Sequence, residues 1–234
     1  MVYKKLSIVI PVHNEEATIT KLIDAVIAAP LTIAKEIIII ENGSIDRTNA
    51  ILDQLKSSRD INVFHLPCGI KGKSVAIRKG FEQATGDIII VQDADIEYDP
   101  NDYQSLIEPI IKGKTKVVYG SRRLKVQKQH SHITYFWGGV MLTVIANTLY
   151  PGLDITDEAT CYKVFDAKLL KSIPLTSQRF EFCPEITAKI AKRKIKIVEV
   201  PISYYPRSKS EGKKINWKDG VEAIWTLVKY RFCG

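Results

Sequence analysis

Residues 86–97 read GDIIIVQDADIE, and this stretch decides the fold. Its apolar half is continuous rather than alternating, which is typical of a strand buried on both faces of a parallel sheet. Its polar half places three carboxylates, Asp93, Asp95 and Glu97, at alternate positions directly after that strand. In open α/β sheets, ligands bind beyond the carboxyl ends of the strands. The stretch therefore predicts a buried strand with a ligand site at its end.

Similar continuous apolar runs occur on both sides of this stretch, and helical patterns separate them. The 234 residues are enough for one well-packed domain and few for two. The alternation predicts an α/β fold: a single domain with a mostly parallel sheet covered by helices on both faces. The predicted strands are 6–12, 36–41, 61–66, 87–92 and 116–120, and the predicted helices are 15–29, 46–57, 73–85 and 102–111.

After residue 120 the alternation of strands and helices becomes irregular. We predict a helix at 133–149, a strand at 161–165, a helix after Pro184, a strand near 195–205 and an amphipathic helix at 217–232. Residues 131–153 carry no Asp, Glu, Lys or Arg, yet polar residues, glycines and a proline interrupt them. A membrane-spanning helix needs roughly 20 predominantly apolar residues. We therefore expect a buried or interfacial helix here.

Charge and cysteine content limit the partners and the compartment. The formal net charge is +8, and residues 189–231 hold twelve Lys or Arg against four Asp or Glu. Such a surface favours phosphates, nucleic acid or an anionic membrane, without distinguishing between them. The four cysteines are widely spaced, which indicates free thiols in a reducing compartment. No signal-peptide pattern precedes the first strand, so we expect a cytoplasmic protein.

Two further strand ends carry polar side chains, as residues 93–97 do. Residues 11–16 read PVHNEE and residues 41–44 read ENGS, and both follow predicted strands. Each pattern is weak alone, because turns and helix caps use the same residues. Residues 69–74, GIKGKS, resemble a P-loop, but Pro67 occupies the position where that motif needs glycine. A lysine beside a helix N-terminus would still suit a phosphate.

Taken together, these motifs resemble the family 2 glycosyltransferases. The matching segments are IVIPVHNEE (8–16), IIIIENGSIDRT (37–48), GKSVAIRKG (72–80), GDIIIVQDADIEY (86–98) and YGSR (119–122). The resemblance covers nearly the whole chain and implies a Rossmann-like GT-A fold. It also implies a nucleotide-diphospho-sugar donor and a Mg²⁺ or Mn²⁺ cofactor.

The same resemblance implies roles for individual residues. The nucleotide-sugar site would comprise Pro11, His13, Glu15, Glu41, Lys73, Asp93 and Ala94. The metal and diphosphate would be held by Asp93, Asp95 and Glu97, and Arg122 would face the donor's phosphates or sugar. Asp95, Arg122 and Asp157 are the catalytic candidates. Many relatives have an aromatic residue at position 13 and Asp-Asp at 41–42, so the base preference stays open.

Motifs in the second half resemble the branch that includes the dolichyl-phosphate mannose and glucose synthases. They are TDEATCY (156–162), FEF (180–182), EVPISYYPR (199–207) and EGKKI (211–215). The resemblance implies transfer to a polyprenyl phosphate, with Arg207 and Lys213 contacting acceptor or donor phosphate. Residues 1–122 would then form the nucleotide-sugar-binding half and residues 123–234 the acceptor-binding half.

A lipid acceptor implies contact with a membrane surface. We expect a peripheral protein at the cytoplasmic face of the membrane, or one with a separate membrane protein partner. The main alternative is a family 2 transferase acting on a saccharide hydroxyl. That reaction usually needs a carboxylate base, for which Asp157 and Glu158 are candidates, although both also suit a structural loop. A nucleic-acid partner is not expected, because the acidic strand ends would repel phosphate in the absence of a metal.

Overall fold

The computed structural model describes residues 3–67, 69–125, 133–207 and 217–233. Within these residues, seven strands form one sheet and eight α-helices surround it. The strands are β1 (Lys5–Val12), β2 (Ala34–Glu41), β3 (Asn62–His65), β4 (Ile88–Val91), β5 (Val117–Ser121), β6 (Lys163–Asp166) and β7 (Ile197–Pro201). The helices are α1 (Ile19–Ala28), α2 (Thr48–Ser58), α3 (Lys73–Gln83), α4 (Tyr103–Ile111), α5 (Ile133–Leu149), α6 (Ala167–Lys171), α7 (Phe182–Lys192) and α8 (Trp217–Phe232).

The strand order is β3-β2-β1-β4-β6-β5-β7, and it brings the predicted polar strand ends together. The chain builds outward from β1 to β3 and then returns to place β4 on the other side of β1. Because β-α-β crossovers are right-handed, this reversal places α3 on the opposite face of the sheet from α1 and α2. The crevice between β1 and β4, where the strand order reverses, is where ligands bind in such sheets.

The strands confirm the predicted mostly parallel sheet. Strands β1, β2, β3 and β4 pair in parallel, and β5 pairs with β7 in parallel. Strand β6 is antiparallel to both β4 and β5, so the loop before β6 meets the carboxyl ends of its neighbours. Strand β4 is buried along its whole length, as its uninterrupted apolar pattern predicts. One continuous cluster of buried side chains runs through the molecule as a single core.

The main differences from the predicted helices are two helix starts and one missed helix. Helix α1 begins at Ile19 rather than at residue 15, because the Glu15 N–H donates to Thr48 Oγ1 and a turn precedes the helix. Helix α7 begins at Phe182, before Pro184. The sequence prediction missed α6, a five-residue helix whose N-terminus is capped by the Asp166 carboxylate. None of these differences displaces a strand end.

Candidate active site

A cavity of about 1090 Å³ opens at the carboxyl edge of the sheet, above β1 and β4. Its size is typical of sites for small molecules. Most of the residues predicted for the donor and acceptor sites line it. They are Pro11, His13, Glu15, Lys73, Asp93, Ala94, Asp95, Glu97, Arg122 and Arg207. Glu41 and Asp157 do not line it, and Lys213 lies outside the described residues.

Every carboxylate of the 93–97 loop contacts a polar or charged partner. Asp93 pairs with the Lys73 ammonium at 2.5 Å. Asp95 accepts from Arg207 Nη2 at 2.8 Å. Glu97 accepts from the Arg207 backbone N–H at 2.8 Å and from Tyr204 Oη at 2.9 Å. The loop is therefore an acidic surface held in place by two cations, Lys73 and Arg207, and by the Tyr204 hydroxyl.

The electrostatic balance at Asp95 is incomplete. Burial, followed by repulsion from Asp93 and Glu97, raises the pKa of Asp95 to about 7, although Arg207 opposes the shift. An elevated pKa means that the surroundings penalise the charged carboxylate. At Lys73 the opposite holds: burial alone would lower its pKa, yet the Asp93 carboxylate raises it. Asp95 therefore sits where additional positive charge would be stabilising.

These surroundings fit a divalent cation held by two carboxylates rather than by three. In the described part of the chain, no three His, Cys, Asp or Glu side chains are grouped so that they could hold a metal ion. Both carboxylate oxygens of Glu97 accept hydrogen bonds, one from Tyr204 Oη and one from the Arg207 backbone N–H, so the three carboxylates do not form one open metal-binding group among the described residues. Asp93 and Asp95 supply the hard oxygen ligands that Mg²⁺ prefers. Proteins usually bind Mg²⁺ through one or two carboxylates together with substrate phosphates.

The opposite edge of the cavity is built from three strand-end loops tied to one another. His13 Nδ1 lies 2.9 Å from the Asn42 carbonyl oxygen, and the Gly72 N–H donates to Asn42 Oδ1 at 3.0 Å. Gly72 has φ +135°, and a Cβ there would lie 2.1 Å from the Gln178 carbonyl oxygen. Only glycine fits this position, which fixes the loop that leads to Lys73.

Two expectations at this edge do not match the geometry. Glu41 is buried and turned into its own loop, where it accepts from the Ser44 N–H at 2.5 Å and lies 3.5 Å from His65 Nδ1. The N-terminus of α3 is closed by backbone carbonyls, since the Ser74 N–H donates to the Arg179 carbonyl oxygen at 2.8 Å. The side chain of Lys73, rather than the free N–H groups of the helix, therefore faces the cavity.

The loop before β6 fixes Arg122. Asp157 is fully buried and accepts from Arg122 Nε at 2.7 Å, from Nη2 at 2.8 Å and from the Arg122 backbone N–H at 3.1 Å. Burial alone would raise the pKa of Asp157, but the guanidinium outweighs it and holds this pKa below its usual range. The Glu199 carboxylate accepts from the Thr156 and Asp157 N–H groups at 2.7 and 3.1 Å. Asp157 thus has the surroundings of a group that positions Arg122.

Glu158, the second base candidate, is also buried. Burial raises the pKa of Glu158, although the Lys163 ammonium and the Thr187 hydroxyl oppose the shift. Its backbone is fixed, because its N–H donates to Thr143 Oγ1 at 3.0 Å and its carbonyl accepts from Lys163 Nζ at 2.6 Å. Although Glu158 lines the cavity, its side chain is shielded from solvent.

The site also contains residues that we had not assigned a role from the sequence. Tyr204 lies between the two loops: Arg122 Cζ is 5.0 Å from its ring centroid, and its hydroxyl bonds Glu97. Asn42 and Arg179 line the cavity as well. The motif EVPISYYPR contains Tyr204 three residues before Arg207, which could have suggested a shared location.

An apolar wall adjoins the polar cavity. We use this name for the exposed apolar residues of α5 and α8, two helices that pack against each other. They are Phe136, Trp137, Met141 and Val144 on α5, and Trp217, Val221, Trp225 and Phe232 on α8. Phe136, Met141, Trp217 and Val221 also line the cavity, so the wall and the cavity are continuous. None of the helices in the described ranges has the length and apolar character needed to cross a membrane.

Comparisons with known proteins identify the family. Residues 7–173 match the family model described as Glycosyl transferase family 2. Dolichol-phosphate mannosyltransferase of Pyrococcus furiosus is 30% identical over 213 residues, covering 89% of this chain and 59% of that protein. UDP-N-acetylglucosamine--dolichyl-phosphate N-acetylglucosaminyltransferase of Methanococcus voltae is 28% identical, covering 97% of this chain and 96% of that protein. The chain thus spans about three fifths of the first relative and almost all of the second.

Solved structures identify the fold. Glucosyl-3-phosphoglycerate synthase of Mycobacterium tuberculosis, in a crystal structure with Mn²⁺, UDP and phosphoglyceric acid, superposes with a TM-score of 0.75. The match covers 99% of this chain and 80% of that chain at 21% sequence identity. The expected GT-A fold is therefore confirmed.

Proposed function

The chain belongs to glycosyl transferase family 2, and we propose that it transfers a sugar from a nucleotide-diphospho-sugar to a polyprenyl phosphate. The observation that carries this proposal is the two-part lining of one cavity. One part is a charged site at the ends of β1 and β4, and the other is an exposed apolar wall. A phosphate carried on a long hydrocarbon needs both surfaces side by side. The curated relatives named above, whose names specify dolichyl phosphates, support the same acceptor class.

The charges suit a phosphate nucleophile. A phosphomonoester has its second pKa near roughly 6, so a lipid phosphate is mostly dianionic at neutral pH and needs no general base. This agrees with the surroundings of Asp157, whose carboxylate is engaged by Arg122. Donor and acceptor are both anions and repel each other. Lys73, Arg122 and Arg207 bring positive charge to the cavity and would offset that repulsion.

The reaction we infer is an in-line displacement. A phosphate oxygen of the acceptor attacks the anomeric carbon while the bond from that carbon to the nucleoside diphosphate breaks, so the configuration inverts. Asp93 and Asp95 would hold Mg²⁺ or Mn²⁺, which would neutralise charge on the departing diphosphate. Arg122, fixed by Asp157, would face the phosphates. We retain residues 1–122 as the donor half and residues 123–234 as the acceptor half.

We propose a peripheral position at the cytoplasmic face of a membrane, and the apolar wall supports the membrane contact. Tryptophan and phenylalanine on paired helices suit the boundary between lipid headgroups and acyl chains. Trp217 and Trp225 are 75% and 63% exposed, so they are available for such contact. Lys218, Lys229 and Arg231 on the same helix add attraction to anionic headgroups. A separate membrane protein partner is the alternative occupant of this surface.

One assay tests the acceptor. Purified protein is incubated with Mn²⁺ or Mg²⁺, a panel of UDP- and GDP-sugars and a short polyprenyl phosphate, and lipid-linked sugar is measured. We expect metal-dependent transfer that is lost in Asp95→Asn and kept in Asp53→Asn, a matched change on an exposed face of α2. Donor binding without transfer would move the acceptor to a saccharide hydroxyl. No binding of any sugar nucleotide would refute the proposal.

A second assay tests the membrane surface. Co-sedimentation with vesicles containing anionic lipid should decrease strongly in the double variant Trp217→Ser, Trp225→Ser. Ile45→Ser is the matched control, because Ile45 is 87% exposed but lies outside the apolar wall. Equal binding by both variants and the parent protein would favour a protein partner.

A further inference from the structure

Arg207 lines the cavity and contacts three carboxylates at once. Its guanidinium lies 2.8 Å from Asp95 Oδ2, 3.4 Å from Glu15 Oε2 and 3.8 Å from Glu97 Oε1. Its backbone N–H also donates to Glu97 at 2.8 Å. The side chain is only 14% exposed. From the sequence we had expected Arg207 at a substrate phosphate, yet the structure places it among the carboxylates expected to hold the metal.

The rest of the fold fixes two of these carboxylates independently of Arg207. Glu15 accepts from Thr18 Oγ1 at 2.8 Å, and Glu97 accepts from Tyr204 Oη at 2.9 Å. The Glu97 backbone is held as well, since its carbonyl accepts from the Tyr205 N–H at 2.8 Å. If the guanidinium moved away, Glu15 and Glu97 would therefore stay in place and lose its positive charge. Uncompensated charge in a partly buried site is costly.

We propose that Arg207 is a built-in counter-ion that competes with the divalent cation for Asp95. The proposal rests on the proposed function, because it assumes that the cation accompanies the sugar nucleotide at Asp93 and Asp95. A guanidinium and a divalent cation cannot both approach the same carboxylate closely without repelling each other. Cation alone therefore binds weakly. Cation together with a diphosphate displaces the guanidinium, which becomes available to a substrate phosphate.

This competition has a thermodynamic consequence. Coupling between two interactions is reciprocal. The free energy that Arg207 gains by pairing with Asp95 therefore weakens the binding of the cation by the same amount. The empty cavity is stabilised without metal, and binding of the cation becomes dependent on the diphosphate. Arg207 would thus link donor binding to the release of a positive charge that the acceptor phosphate needs.

The test is titration of Mn²⁺ alone, without sugar nucleotide or acceptor. Electron paramagnetic resonance reports free Mn²⁺, and Arg207→Gln should bind Mn²⁺ more tightly than the parent protein, by roughly tenfold for a typical coupling. Arg179→Gln is the matched control, because Arg179 also lines the cavity but pairs with Asp219, at 3.7 Å. It should change Mn²⁺ affinity much less. Arg207→Lys should be intermediate, since lysine keeps the charge without the planar fork.

Thermal unfolding gives a second readout that does not require activity. In EDTA, Arg207→Gln should melt below the parent protein, and Mn²⁺ should raise its melting temperature by more than it raises that of the parent. Should Arg207→Gln not fold in EDTA, Arg207→Lys carries the same comparison.

Equal or weaker Mn²⁺ binding by a folded Arg207→Gln overturns the inference, and so does an equal gain in Arg179→Gln. Metal-independent donor binding that is lost in Arg207→Gln also overturns it, because Arg207 would then be a permanent substitute for the cation. Absence of Mn²⁺ binding in every variant overturns it together with the metal dependence. The lipid-transfer assay decides the acceptor separately.

Discussion

Asp95 and Asp157 lie at the ends of neighbouring strands, one after β4 and one before β6, and their surroundings are opposite. Asp157 is enclosed and accepts three hydrogen bonds from Arg122, and its pKa is held below the usual range. Asp95 has one arginine shared with two other carboxylates, and its pKa is raised to about 7, chiefly by burial. The same side chain is thus saturated in one loop and short of positive charge in the other.

This difference separates two uses of a carboxylate. A saturated carboxylate fixes its partner, so Asp157 determines where Arg122 points. A carboxylate with unrelieved repulsion favours binding of a cation, so Asp95 is the group that a ligand would change most. The comparison predicts that replacing Asp157 mainly lowers the free energy of unfolding, whereas replacing Asp95 mainly lowers the rate of transfer.

The largest effect that we expect is on stability, in Asp157→Asn. Asparagine keeps the shape but leaves the Arg122 guanidinium without its counter-charge, and breaking a buried pair in this way costs about 3–5 kcal/mol. Urea unfolding measures the free energy. Asp24→Asn is the control, because Asp24 forms an exposed pair with Arg59 at 2.7 Å, and such pairs contribute about 0–1 kcal/mol. Equal losses in the two variants, or an intact fold with a new pH profile of transfer, would contradict a positioning role for Asp157.

The next effect is on catalysis, in Asp95→Asn. We expect transfer to fall on the order of 10²–10³-fold, the range seen when one group that stabilises developing charge is removed. The free energy of unfolding should stay unchanged or rise, because repulsion from Asp93 and Glu97 disappears. Initial rates and urea unfolding on the same preparation test both halves of this prediction. A loss of stability comparable to that of Asp157→Asn would break the contrast between the two aspartates.

Sequence patterns located the strands better than the helix starts. The continuous apolar runs of β1, β2 and β4 predicted these strands within two residues at each end, because a strand buried on both faces leaves such a run. Helix α6 was missed because five residues are too few for a period to show. Which strand ends carry polar groups was also predictable. Their convergence follows from parallel pairing.

The partners of the charged residues could not be predicted from the sequence. Arg207 lies 192 positions from Glu15 and 112 from Asp95, and nothing local to either residue indicates the contact. Arg122 and Asp157 are 35 positions apart, one directly after β5 and the other in the loop before β6. Carboxylate type and spacing therefore predicted where the candidate site lies, whereas the distinction between Asp95 and Asp157 required the folded arrangement.

Glu185 is a second saturated carboxylate, and it extends the comparison to acidic pH. This buried carboxylate accepts from Lys189 Nζ at 2.5 Å and from the Thr176 and Ser177 N–H groups at 2.8 and 2.9 Å. Burial alone would raise its pKa, but these partners lower the pKa to about 2. The ionised Glu185 therefore stabilises the fold by about 2–3 kcal/mol above the ordinary carboxyl pKa, and this contribution is lost as pH falls towards 2. Urea unfolding at pH 7 and pH 3 should show a smaller pH dependence in Glu185→Gln than in the parent. An unchanged dependence would mean that Glu185 is not saturated as Asp157 is.

The smallest effect concerns Tyr204, which touches both regions. Its ring lies under Arg122, the partner of Asp157, and its hydroxyl donates to Glu97, beside Asp95. Tyr204→Phe keeps the ring and removes only the hydrogen bond to Glu97. We expect the free energy of unfolding, measured in urea, to fall by about 1.5 kcal/mol, the lower end of the range for hydrogen bonds to charged groups. In double-mutant cycles, this variant should couple with Glu97→Gln and be additive with Asp157→Asn within about 0.5 kcal/mol. Tyr204→Leu removes the ring as well and should couple with both. Coupling of Tyr204→Phe to Asp157→Asn would show that the two loops are one electrostatic unit, and the contrast between a saturated and a ligand-binding carboxylate would then have to be abandoned.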